Sequence, residues 1–418
     1  MLLLRNTKMK FKQGFKFGVG TSHTQIEEPG DGSWKNIVAK DGTVLKYGIK
    51  HREHVAEDIE FITNLAVDYY KMSVNWPNLQ REPFGELDKK TLDFYHQMFD
   101  KLNSHGIKPN ITLHHFDNPS WLDEKGGWAI SESQDVFVDF SNKVVKELGQ
   151  YTDMISTINE ISTQVALSYA NGFLPNNKGY KLAPKKFKAA IKNMSEAHKR
   201  TYGILKASNP DKQIGFTEVI RPYLAHHNTT LIASVENYFI ENIVKPNIQL
   251  IWDSLLEKKN GKIQTDFAGI QYYGPYAFNL FKLFDMPMSY KERDAKGNEL
   301  LHDELWNVDP KYLTIGAKEL KAKHPNLDLY VTEHGTCTND DSLRTKIMDL
   351  HLEEIQKNPE LFKGYFHWSL LDNFELAEGF TKRFGLVHVD FDNDFKRTPK
   401  ESYFHFKDII ATNNLNNI

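Results

Sequence analysis

The chain has a single cysteine, Cys337, among 418 residues. That excludes an intrachain disulfide and any structural zinc site built on thiolates. It also fits a reducing compartment, so a cytoplasmic location is the expectation. Long apolar runs are missing as well. The N-terminus offers Leu2, Leu3 and Leu4 and then Arg5, where a secretory core needs roughly 7 to 15 apolar residues. No stretch approaches the roughly 18 that a membrane span requires. Nor is charge of one sign in excess: Lys+Arg 52 stand against Asp+Glu 55, a net charge of −3. Such a balance gives no electrostatic ground for nucleic acid or an anionic membrane as a partner. Low-complexity tracts, Pro/Ser/Gly-rich hinges and internal repeats are absent, so nothing marks a boundary between domains. Aromatic residues are plentiful, with 27 Phe, 18 Tyr and 7 Trp; they serve as core and as flat platforms for apolar ligand faces.

Eight short runs rich in β-branched or aromatic residues recur along the chain, each followed by a segment of helical period. They are Phe15 to Gly20, Val67 to Val74, Ile107 to Leu113, Met154 to Asn159, Gln213 to Val219, Phe267 to Tyr273, Leu327 to Thr332 and Gly364 to Trp368. Lys89 to Ser104 reads as one of the intervening helices, with Leu92, Tyr95, Phe99 and Leu102 on one stripe behind Asp88 as N-cap. Ser342 to Lys357 reads as another. Eight strand-helix units predict an α/β chain folded as a single (β/α)8 TIM barrel over residues 1–418, with 1–10 and 411–418 as loosely ordered ends.

In such a barrel the chemistry lies where the strands end at their C-terminal side. The residues there are Gln25 past run one, Lys71, Ser73, Asn75 and Trp76 on run two, His114 and His115 after run three, and Asn159 and Glu160 after run four. Runs six to eight add Tyr272, Tyr273, Glu333, His334 and Trp368, with Glu375 in the loop beyond. No phosphate-cradling glycine loop accompanies them, and no cofactor is called for. His114 and His115 are neighbours on a strand and point to opposite faces, so no metal site is expected and His114 is read as a packed core residue. Glu160 and Glu333 end strands that lie nearly opposite in a closed barrel. Two carboxyl groups across a cleft suit glycosidic bond cleavage, one protonating the leaving oxygen and the other attacking the anomeric carbon or activating water.

Around these residues the sequence resembles glycoside hydrolase family 1, the β-glucosidase and β-galactosidase group. The similarity lies in Phe15-Lys-Phe-Gly-Val-Gly-Thr-Ser-His-Thr-Gln25-Ile-Glu27, Leu113-His-His115-Phe-Asp117-Asn-Pro119, Thr157-Ile-Asn159-Glu160, Thr332-Glu333-His-Gly335, and Trp368-Ser-Leu-Leu-Asp-Asn-Phe-Glu375 with Arg383-Phe-Gly-Leu. The resemblance implies a retaining double displacement on terminal, non-phosphorylated β-glucosides, β-galactosides or β-fucosides, with Glu333 as nucleophile and Glu160 as acid/base. It implies Lys71 and Tyr273 as supports of the nucleophile. Gln25, His115, Asn159 and Glu375 would be hydrogen-bond partners of the sugar, Trp368 a floor under its ring, and Trp368-Ser369 a cis peptide. The partner so implied is a small-molecule or oligosaccharide β-glycoside; a homo-oligomer stays open.

Several positions depart from the family pattern. Lys71 stands for Arg, Phe116 and Leu376 for Trp, Ile161 for Pro, His334 for Asn and Gln271 for Asn. Two missing indole donors predict weaker binding of the sugar or an altered preference. Two other readings stay open on these grounds: a carbohydrate-binding or sensing protein on a decayed glycosidase scaffold, and a transglycosylase using the same two glutamates.

Overall fold

The computed structural model describes residues 9–282 and 290–415. Eight parallel strands form a closed barrel: β1 (Lys16–Gly20), β2 (Tyr69–Ser73), β3 (Lys108–His114), β4 (Met154–Asn159), β5 (Gln213–Val219), β6 (Phe267–Gln271), β7 (Asp328–His334) and β8 (Gly364–Trp368). β1 pairs with both β2 and β8, which closes the ring. Each run read from the sequence carries one of these strands. The run at Phe267 stops as a strand at Gln271, and the run at Leu327 continues to His334.

Helices cover the barrel because each presents an apolar stripe to it. Helix Lys89–Ser104 buries Tyr95, Phe99 and Leu102, and the Asp88 carboxylate caps it by accepting from the Thr91 N–H at 2.9 Å. The helix read at Ser342 spans Asp341–Gln356, and its cap, Asp340, accepts from the Ser342 and Leu343 N–H groups. Residues 411–415, read as part of a loose end, continue helix Glu401–Leu415. Asn413 there accepts a hydrogen bond from the Phe11 N–H at 3.2 Å, so the two ends of the chain hold each other. Residues 1–8 and 416–418, also read as loose, lie outside the described residues. Among the described residues no helix is long and apolar enough to cross a membrane.

The barrel interior determines which side chains reach the rim. Met154, Phe267, Tyr330 and Phe366, with Tyr69 against them, plug its N-terminal end. Above this plug Gly269 leaves room for its neighbours: an added Cβ would stand 2.5 Å from Thr332 Oγ1 and 2.6 Å from Thr217 Cγ2. Counting in twos from Met154 and Tyr330 would send Asn159 and Glu333 to the outer face, since strand side chains alternate. One extra residue in each strand reverses that. Between Ser156 and Asn159, β4 spends three steps where β5 spends two, from Gly215 to Thr217. Between Val331 and Glu333, β7 spends two steps where β6 spends one, and the same offset appears against β8. These are β-bulges, which re-aim a side chain at the cost of a broken register.

Candidate active site

At the C-terminal rim a cavity of about 210 Å³ opens. Seven of the nine sequence candidates line it: Gln25, His115, Glu160, Tyr273, Glu333, Trp368 and Glu375. Lys71 and Asn159 do not line it. They lie beneath, with 0% and 1% of their surface exposed, and act on the lining residues from below.

The β7 corner is built around Glu333. Its Oε1 accepts from the Lys71 ammonium and its Oε2 accepts from the Tyr273 hydroxyl at 2.7 Å. Lys71 also donates to Asn159 Oδ1 at 3.0 Å and sits 5.7 Å from the ring centre of Trp368. Asn159 Oδ1 further accepts from Thr217 Oγ1 at 2.8 Å and Gln271 Nε2 at 2.7 Å. Three donors converging on one oxygen fix the orientation of the Asn159 amide. Its Nδ2 lies 3.5 Å from His115 Nε2. Burial, together with the nearby Lys71 charge, holds the His115 imidazole well below its ordinary pKa. Burial pushes the Tyr273 phenol well above its own, reinforced by Glu333 and Glu160, so it stays a donor.

The β4 corner is different. Glu160 follows β4 with φ 39°, directly before helix Ile161–Tyr169, and its N–H donates to Thr217 O at 2.8 Å. A non-glycine residue in the left-handed region is a strained position of the kind concentrated at functional sites. The Thr163 hydroxyl donates to Glu160 Oε2, and Arg221 Nη2 donates to Thr163 Oγ1 at 2.7 Å. Arg221 itself is 3.7 Å from Glu160 Oε2. Burial pushes the Glu160 carboxyl up to about 8; Arg221 opposes the rise, and Glu333 and Glu218 add to it. Arg221 and Thr163 are site residues that the strand-end reading passed over. Arg221 ends the segment Val219-Ile220-Arg221 just past β5, the one strand that supplied no candidate.

Beyond β8, Glu375 and Gln25 meet: Gln25 Nε2 donates to Glu375 Oε2 at 2.9 Å and to Asn373 Oδ1 at 3.0 Å. Ser22 Oγ donates to Gln25 Oε1 at 2.6 Å, fixing the amide's direction. Burial, with Glu333 and Glu378 nearby, pushes the Glu375 carboxyl up to about 8 against the pull of Gln25. Trp368-Ser369 is cis. The Trp368 ring stacks on His115 at 6.0 Å and 18°.

The departures from the family pattern fall into place. Phe116 and Leu376 line the cavity and pack into one cluster with Trp34, Leu174 and Phe374. Phe116 has φ 60° and Leu376 φ 47°. The Trp34 indole donates inward, to the Phe116 carbonyl at 2.7 Å. The cavity wall there is apolar. His334 faces outward, bonded to Tyr365, with its ring tilted 35° to that of His351 at 3.9 Å. His114 is buried against Trp76, Trp128 and Phe137 and bonds Asn118 Oδ1 at 2.9 Å. Cys337 is a free, buried thiol packed behind the wall with Leu305, Trp306 and Phe384.

A closed parallel barrel whose rim gathers paired carboxyl groups, amides and an indole around a small cavity is the layout of a glycoside hydrolase. The family comparison gives the same answer at finer grain: the model of glycosyl hydrolase family 1 matches residues 7–415, and the chain belongs to that family. It is 29% identical to beta-glucosidase A of Thermotoga maritima over 97% of this chain and 99% of the relative. A 6-phospho-beta-galactosidase of Clostridium acetobutylicum is 26% identical over 96% of each chain. Among solved structures, the beta-glucosidase from Thermotoga maritima in complex with glucoimidazole superimposes with a TM-score of 0.81 at 27% identity, covering 97% of this chain and 99% of that one. The chain is a family 1 glycoside hydrolase.

Proposed function

We propose that this enzyme is a retaining β-glycosidase, one barrel domain acting on terminal, non-phosphorylated β-linked sugars of the glucoside, galactoside or fucoside type. Glu333 attacks the anomeric carbon while Glu160 protonates the departing oxygen; Glu160 then takes a proton from the water that releases the sugar. One observation carries the assignment of roles, namely the difference between the two carboxyl environments. Glu333 is gripped by an ammonium and a phenol that stabilise a carboxylate. Glu160 is buried and raised to about 8, as a group that must hold a proton at neutral pH requires. Gln25, His115, Asn159 and Glu375 supply hydrogen bonds at the sugar end and Trp368 a flat face for its ring.

The sugar end also bears on phosphate. Arg221 is the one cation among the described residues lining the cavity, and it stands at the Glu160 side. The opposite end carries Glu375 with Glu378 beside it. A phosphorylated sugar would place its dianion next to these carboxyl groups; among the described residues no cation lines the cavity at that end, and Lys40 and Lys382 nearby are already paired with Glu378 and Glu304. A panel of aryl β-glycosides with gluco, galacto, fuco and 6-phospho sugars, assayed on the wild type and on Glu333→Ala, tests the reading. Turnover of one or more neutral sugars with retention of configuration, abolished in the variant, is expected. No turnover on any sugar would make the carbohydrate-binding reading the better one, and turnover confined to the 6-phospho substrate would overturn the substrate class.

A further inference from the structure

Among the described residues, every arginine except Arg221 has a carboxylate oxygen between 2.7 and 3.2 Å away. For Arg221 the carboxylate partner is Glu160 at 3.7 Å. Its side chain is 15% exposed, its Nη2 is used on the Thr163 hydroxyl, and its Nε is buried with no acceptor. The guanidinium lies 5.0 Å from the ring centre of Tyr276, an aromatic contact that suits a cation but does not neutralise it. Glu218, the other carboxyl group close by, is spent on Ser162 and on its own strand: its oxygens accept from Ser162 Oγ at 2.5 Å, Ser162 N at 3.2 Å and Val219 N at 2.9 Å. Tyr223 is a further, neutral hydrogen-bond partner of the guanidinium. A largely desolvated cation met mainly by neutral groups is costly unless a charge answers it. Glu160 does not do so while it holds the proton it must give away.

The position of this cation is informative. Thr163 links it to Glu160, whose proton goes to the departing group, so Arg221 stands on the leaving-group side, away from Gln25 and Glu375. Around it the wall is aromatic and apolar, from Tyr223, Tyr276, Leu305 and Trp306.

We propose that Arg221 is an anion-recognising residue of the leaving-group side, and that preferred substrates carry a carboxylate on an aromatic or otherwise apolar aglycone. This rests on the assignment of Glu160 as the acid. The planar fork of a guanidinium matches a carboxylate. Glu218 acts on the charge of Arg221, so a monoanion meets less repulsion there than a dianion.

The test uses the sugar that the panel identifies, attached to 4-hydroxybenzoate or to its methyl ester. The ratio of kcat/KM for acid over ester is measured for the wild type, Arg221→Met and Arg221→Lys. Taking the change of this ratio between enzymes cancels both the leaving-group difference and any general loss of activity. A fall of about tenfold or more in Arg221→Met, with part of the ratio kept in Arg221→Lys, is expected. On the wild type alone, free 4-hydroxybenzoate should inhibit hydrolysis of a neutral 4-nitrophenyl glycoside more strongly than its methyl ester does, and salt should erode the difference; this arm stands if a variant fails to fold. An unchanged ratio, or equal inhibition by acid and ester, overturns the inference while the glycosidase reading survives. No turnover of any glycoside overturns both.

Discussion

Two corners of one rim hold the same residue type and treat it in opposite ways. At the end of β7, Glu333 is met by two donors, Lys71 and Tyr273, and its ammonium partner is wholly buried. At the end of β4, Glu160 is met by a single hydroxyl, with its cation held one residue away. Burial raises the Glu160 carboxyl group, whereas Glu333 has an ammonium and a phenol on its two oxygens. The two corners therefore differ in whether the cation touches. A pair of identical glutamates thereby becomes an ordered pair.

Exchanging or removing these contacts should break the asymmetry in graded steps. Glu333→Gln carries the largest expected effect, a loss of about 10⁵-fold or more in kcat on every aryl glycoside, as for removal of a covalent nucleophile. Glu160→Gln should lose roughly 10² to 10⁴-fold on a glycoside with a poor leaving group, the usual worth of general acid catalysis. It should lose far less on a 2,4-dinitrophenyl glycoside, which departs without a proton. Equal losses on both substrates would undo the assignment of roles. Lys71→Met leaves a buried carboxylate without its cation, and should lower unfolding stability by about 3 kcal/mol in urea denaturation, together with kcat. The pH profile sharpens the comparison further. A Glu160 that must be protonated makes kcat/KM fall as pH rises through about 8. Arg221 favours the ionised form, so Arg221→Met should move that limb to higher pH. Glu375 titrates in the same range without contact from Arg221, and a limb that stays put in the variant would transfer it to Glu375. The smallest effect is at Leu376→Trp, where a restored indole donor should lower KM about fivefold, the worth of one net hydrogen bond.

Much of this was readable in the chain. Runs such as Met154 to Asn159 declare their strands by β-branched and apolar residues, and Asp88 declares a helix start by a side chain that competes for the first free N–H groups. Glu160 and Glu333 stood out because they end such runs. The facing of Asn159 and Glu333 did not, since strict alternation would have turned both outward. The bulges that reverse this depend on register with neighbouring strands and have no local signature. Arg221 was invisible for a related reason. It lies past β5, in a segment held by the pairing of Tyr223–Ala225 with Tyr276–Phe278, a contact between residues far apart in sequence. The burial of Lys71 and Asn159 below the cavity, rather than in its wall, likewise depends on layers that only the closed barrel creates.

The hydroxyl of Thr163 has a direction. An arginine can only donate, so the lone pair facing Arg221 is taken and the hydroxyl proton points at Glu160 Oε2. That oxygen is then an acceptor, and the acid proton of Glu160 is left to Oε1. One threonine, a single turn along the helix from the glutamate, thus distinguishes two chemically equivalent oxygens and leaves Oε1 to carry the proton that the proposed acid role needs. In Thr163→Val the carboxyl group would lose that handedness, and the proton would be shared between the two oxygens.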